Sequence, residues 1–208
     1  MPTGPEIMKA AADASGCSHQ PYSQMVSLQG AGVGADMAGG RGICFGLAVT
    51  WLEAQMAGTG GDFANSAGDW QGSNVFARSH LMWTNQLSSM WTKLAGLKAA
   101  TEKDGSSKFK FFDAGDESEI KRLADWLGGA SGSRYFMLSI THKHAMAACG
   151  SQTGKLKFFD PNSGTMSSRF ASKLAKGMLA YFSDPTIKNA YKNNTNRVVL
   201  DVDKFKAA

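Results

Sequence analysis

Cys44, His142, His144 and Asp160 are the residues whose types and spacing could do covalent chemistry in this chain. A cysteine nucleophile needs a lowered pKa, a base to take its proton and a group to orient that base. Cys44 stands where the glycine-rich run GGRGI meets the apolar pattern CFGLAVTWLEA. A helix starting there would favour a thiolate through its unpaired N–H groups and dipole, and the same N–H groups can hold an oxyanion. Cysteine is also a common core residue, so the position alone permits a packing role.

The two histidines lie in ITHKHAMAACG, and SQTGKLKFFDPNSG follows. Suppose residues 144–149 and 155–160 form a hairpin with Gly150 opposite Gly154 around Ser-Gln-Thr. Ala148 then opposes Leu156, Met146 opposes Phe158, and His144 opposes Asp160. Directly opposed side chains have Cβ atoms about 4.5–5.5 Å apart, which lets a carboxylate hold the Nδ1–H of a histidine. Pro161 ends the ladder. His142 has the same parity and would oppose Asn162, so His142–Asn162 is an alternative base and orienter. A one-residue slip breaks either pairing.

The remaining reactive side chains read as bystanders. Cys149 opposes Lys155 in this register and reads as a packing thiol, Cys17 as exposed chain. His19 and His80 read as structural or surface residues. A metal site built on His142 and His144 lacks a second ligand pair at recognisable spacing. Lys and Arg are scattered rather than striped, which does not support nucleic-acid binding. Trp83 and Trp91 fall in a long helical pattern and read as core.

The elements that must position these residues follow from periodicity. Residues 1–40 read as a mobile start and a glycine-dense loop, with a flexible segment over 1–21 and the folded domain over 22–208. Residues 44–57 read as a helix, with Phe45, Ala48, Leu52 and Met56 at helical spacing. Residues 74–99 form the longest helix candidate. A short strand over Lys108–Phe112 and a helix over Glu117–Leu127 follow. Tyr135–Ile140, Ala145–Cys149 and Lys155–Phe159 read as strands. Ser167–Tyr181 reads as a helix with Phe170, Leu174, Met178 and Tyr181 on one face, and Arg197–Val202 as a last strand. Helices first and an antiparallel sheet afterwards mean an α+β class.

Bulk properties agree with a folded globular chain. The chain has 208 residues, 43% of them hydrophobic and 19% charged. That length buries about 70–75% of the unfolded surface without staples. The net charge of +5 permits acidic partners without demanding them. Three widely spaced cysteines imply no disulfide framework. The start, MPTGPEIMKAAADASG, has no apolar stretch behind basic residues, so no cleaved signal peptide is expected. No apolar run approaches the roughly 18 residues of a membrane helix.

Three blocks taken together, GICFGLAVTWL, KHAMAA and FFDPNSG, resemble the YopT/AvrPphB-type cysteine protease family. They occur in that family's order, as islands over roughly residues 22–164. The resemblance implies a papain-like fold, in which an N-terminal catalytic helix packs against a C-terminal antiparallel sheet. It implies a cysteine endopeptidase with Cys44 as nucleophile, His144 as base and Asp160 as orienter. Trp51 matches the family's helix tryptophan. Gln24, in PYSQ, matches an upstream glutamine that can donate to the oxyanion, and Asn162 is a further supporting candidate. Ser163 departs from the family, which often has an aromatic residue there.

No cofactor is implied. The implied partners are a protein substrate in a host or target cell and a secretion chaperone or apparatus, with the enzyme working as a monomer. The resemblance also implies synthesis in a bacterial cytoplasm and delivery without a cleaved signal. Some members process themselves and are then acylated. A cut before Gly16 would expose GCSHQP, although Gln20 stands where the acylation pattern wants Ser or Thr. The same triad serves amidases, deamidases and transglutaminases, which act on side-chain amides or cell-wall peptides, so this chemistry is the alternative function. A binding module on an inactive protease fold is the third reading.

Overall fold

The computed structural model describes residues 2–25, 43–58, 97–99, 110–129, 134–140, 144–151 and 154–207. Three of the described helices start at local capping chemistry, whereas Ile43 and Phe170 precede the other two without a side-chain cap. Helix α1 (Gly4–Ser15) follows Thr3, whose N–H and hydroxyl donate to the Glu6 carboxylate at 2.7 and 3.0 Å, and Pro5 sits in its first turn. Gly16, at φ 69°, ends it in the left-handed conformation that glycine adopts at no steric cost. Helix α2 (Cys44–Met56) is apolar and almost wholly buried in its first two turns. Helix α3 (Glu117–Leu127) is capped by Asp116, which accepts from the N–H groups of Ser118 and Glu119. Helix α4 (Ala171–Ser183) runs to Asp184, which caps helix α5 (Pro185–Tyr191) by accepting from Thr186 and Ile187. No helix among the described residues is long and apolar enough to cross a membrane.

The strands are β1 (Ser18–Gln20), β2 (Leu97–Ala99), β3 (Lys110–Asp113), β4 (Arg134–Ile140), β5 (His144–Gly150), β6 (Leu156–Asp160), β7 (Gly164–Ser168) and β8 (Val199–Ala207). Among the described residues they form one sheet in the order β1-β7-β6-β5-β4-β8-β2, with β3 also on β8, and every pairing is antiparallel. Period-two alternation divides the sheet between two cores. Phe136, Leu138, Met146, Ala148, Phe158 and Met166 pack with α1, α3, α4 and α5. Met137, Ala145, Ala147, Cys149 and Phe159 pack with α2 on the other face. Phe159 sits between Trp51, stacked at 5.3 Å and 9°, and Tyr22 at 5.8 Å. These contacts seat the middle of α2 against β6.

Several sequence expectations change here. Residues 1–21 contain α1 and β1: Met8 and Ala12 are fully buried, and β1 pairs with β7. Cys17 is half-buried against the first core rather than exposed. Residues 97–99 are strand β2, not the end of a helix, and the rest of the 74–99 pattern lies outside the described residues. Strand β7 was not anticipated, and α4 begins at Ala171, leaving Phe170 60% exposed before it. Gly150 opposes Leu156 and Ala148 opposes Phe158, so the β5–β6 register differs by two residues from the expected one. Cys149 therefore faces Lys157 rather than Lys155. An even shift keeps every side chain on its expected face.

Candidate active site

The site forms at one end of the sheet, where the first residue of α2 meets the first residue of β5 and the last residue of β6. Cys44, His144 and Asp160 are those three residues, and all are buried. Asp160 turns toward α4 and α5, while α2 packs the opposite face of the sheet. His144 and Asp160 therefore meet Cys44 around the strand ends rather than through the face that α2 covers.

His144 Nε2 bonds Asp160 Oδ1 at 2.8 Å, and the same imidazole hydrogen-bonds the Cys44 side chain. The expected contact ran through Nδ1. The two-residue register shift explains the difference. His144 and Asp160 are diagonal rather than opposed, and diagonal neighbours are about 7–8 Å apart, a span that suits the far nitrogen of the ring. With Nε2 committed to Asp160, Nδ1 is left for sulfur.

Asp160 is fully buried, and four donors satisfy its carboxylate. Oδ1 accepts from His144 Nε2 and from the Asn162 backbone N–H at 2.7 Å. Oδ2 accepts from the hydroxyls of Tyr181 at 2.8 Å and Tyr191 at 3.1 Å. Burial by itself would raise the Asp160 pKa. The charge and hydrogen bond of His144, with the Asn162 N–H and Tyr181 hydroxyl, overcome that and hold it below the usual carboxylate value. Burial by itself would lower the His144 pKa. The charges of Asp160 and Cys44 and their hydrogen bonds outweigh it and raise it to about 10. The arrangement therefore favours a protonated His144 beside the Cys44 sulfur.

Gln24 and Asn162 both belong to this cluster. Gln24 Oε1 accepts from the backbone N–H of Ile43, the residue before Cys44, at 3.2 Å. Gln24 Nε2 donates to Asn162 Oδ1 at 2.5 Å, and Asn162 Nδ2 donates to the Tyr191 hydroxyl at 2.9 Å. Asn162 thus pairs with Gln24 and Tyr191. His142, the alternative base, lies outside the described residues. Ser163 is fully buried and its hydroxyl is 2.7 Å from that of Tyr181, so the small residue makes room for a polar contact. Cys149 is buried with its pKa pushed up to about 12 by desolvation, as an inert packing thiol requires. Among the described residues no group of three or more His, Cys, Asp or Glu side chains could hold a metal ion.

Helical spacing puts Tyr181 on the apolar face of its helix, and no local pattern marks Tyr191. The Asp-Pro pair at 184–185 does signal a second helix start just before Tyr191.

Comparisons with known proteins bear on the geometry just described. The sequence matches peptidase family C58, the Yersinia/Haemophilus virulence surface antigens, over residues 9–200. Comparison with curated proteins gives no match. Among solved structures, the Pseudomonas avirulence protein AvrPphB aligns with 79% of this chain and 92% of its own, at 16% identity and a TM-score of 0.48. PatoxP, a cysteine protease-like domain of the Photorhabdus asymbiotica toxin PaTox, aligns with 94% of this chain at 14% identity and a TM-score of 0.53. This chain spans 56% of that structure's length. The chain belongs to the Yersinia/Haemophilus virulence surface antigen family of peptidases and is a cysteine protease of the papain-like fold.

Proposed function

We propose that Cys44, His144 and Asp160 are the triad of a cysteine endopeptidase delivered by a bacterium into another cell, where it cleaves a protein. The observation that carries this reading is the double engagement of His144, with Asp160 on one side and Cys44 on the other. His144 holds the thiol proton, and the Cys44 thiolate attacks the carbonyl carbon of a peptide bond. The oxyanion is held by the Cys44 backbone N–H at the start of α2, with Gln24 beside it. His144 then protonates the leaving amine, the C–N bond breaks, and water frees the acyl-enzyme with His144 as base.

The test compares proteins in target-cell extract treated with wild type, Cys44→Ala, His144→Ala and His142→Ala. The first two variants should remain folded and yield no fragments, and the third should keep most activity. Fragments from Cys44→Ala would remove the nucleophile assignment. Intact chains heavier by about one mass unit would instead indicate side-chain deamidation.

A further inference from the structure

The triad does not use Tyr191, yet this side chain touches both the base and its orienter. Its ring lies face to face with the His144 imidazole, centroids 4.9 Å apart and planes 13° from parallel. Its hydroxyl donates to Asp160 Oδ2, the oxygen that His144 does not use, and accepts from Asn162 Nδ2. Tyr191 is itself buried at the last turn of α5, and Asp184 and Pro185 fix where that helix begins. The charged or titratable groups around the imidazole come from each element packed on it: Cys44 from α2, Asp160 from β6 and Tyr191 from α5, with Tyr181 of α4 reaching it through Asp160.

We propose that Tyr191 is a positioning residue for the base: its ring covers the His144–Asp160 hydrogen bond against water, and its hydroxyl pins the carboxylate so that Nε2–H stays aimed at Oδ1. A flat stacked ring fixes the plane of the imidazole as well as its place. A single ring thereby sets the direction in which Nδ1 meets the sulfur. The proposal rests on His144 serving as the base.

The test reads the Nε2–H proton directly by low-field proton NMR on the full chain, with the resonance assigned by its loss in His144→Gln. Wild type should show this resonance at neutral pH and 25 °C. Its absence there would overturn the proposal before any variant is made. Tyr191→Phe keeps the ring and should keep the resonance at a shifted position. Tyr191→Leu should exchange the proton with water about tenfold faster or lose the signal, with kcat reduced about tenfold and KM unchanged. Should Tyr191→Leu not fold, Tyr191→Met, unable to stack, takes its place. A purely structural Tyr191 would lower the melting temperature without selectively exposing this proton. An unchanged exchange rate in a folded Leu or Met variant therefore overturns the proposal. Activity surviving in Cys44→Ala would defeat the triad and leave the NMR result standing, so the two failures are distinguishable.

Discussion

Replacing Asp160 by Asn removes one charge and one acceptor while preserving shape, and its cost can be worked from the four donors. Asn keeps an oxygen for His144 Nε2–H and the Asn162 N–H but turns Oδ2 into an NH2 group. Tyr181 and Tyr191 then lose their acceptor, at about 1–3 kcal/mol for each buried donor. The Tyr181 hydroxyl can turn to Ser163 Oγ, 2.7 Å away, which moderates the total to about 2–4 kcal/mol.

The penalty depends on pH. The Asp160 pKa is lowered by folding, so its contribution exists above about 3.8 and disappears as pH falls through its folded value. The His144 pKa is raised, so its contribution is complete below about 6.5 and is lost as pH rises through about 10. The gap between wild type and Asp160→Asn should therefore be widest between about pH 4 and 6.5 and narrow on both sides. Urea unfolding at pH 3, 6 and 10 measures it, and activity should fall at least ~100-fold from the misdirected base. A gap under about 1 kcal/mol at pH 6, flat with pH, would refute this account of the carboxylate.

Other outcomes follow from the same contacts. The kcat/KM profile should decline in alkali as His144 deprotonates near pH 10, measured on any cleavable peptide. Cys149→Ala should leave activity intact and cost about 1–2 kcal/mol by denaturant unfolding, because the thiol is buried in the α2 core. Met8→Ala should cost about 2–4 kcal/mol, as the side chain is fully buried under α1. Gly164→Ala should abolish stable folding, read as a missing thermal transition. Its φ of 110° is a glycine conformation, and a Cβ there would collide with the Gln20 carbonyl oxygen.

The parts of the site written in local pattern were legible in the sequence. The Gly-to-apolar switch at Cys44 predicts a helix start, and α2 begins at that residue. Alternation in HAMAACG and LKFFD predicts which side chains share a face, and that parity holds. The register differs because the three-residue loop sits one position later than expected: Ser151 and Lys155 pair through their backbones, where the expected loop closes on Gly150 and Gly154. Strand β7, GTMSS, offers small polar residues with no apolar alternation, so only its pairing to β6 and β1 defines it. Helix α1 was obscured by alanines, whose burial beneath the sheet depends on tertiary partners. The tyrosines holding Asp160 come from more than twenty residues downstream, and no local pattern connects them to it.

The bonds joining Asp160, Tyr191, Asn162, Gln24 and Ile43 have a sense of direction. A hydroxyl carries one proton, and the carboxylate, which can only accept, claims the one on Tyr191. Asn162 must then present its NH2 to Tyr191 and its oxygen to Gln24, and Gln24 must turn its own oxygen toward the Ile43 N–H. Two amide orientations, one of them beside Cys44, thus suit a buried carboxylate at one end and a fixed backbone donor at the other. Neutralising that charge would free the Tyr191 proton, yet the Ile43 N–H, which can only donate, would still hold the Gln24 oxygen in place.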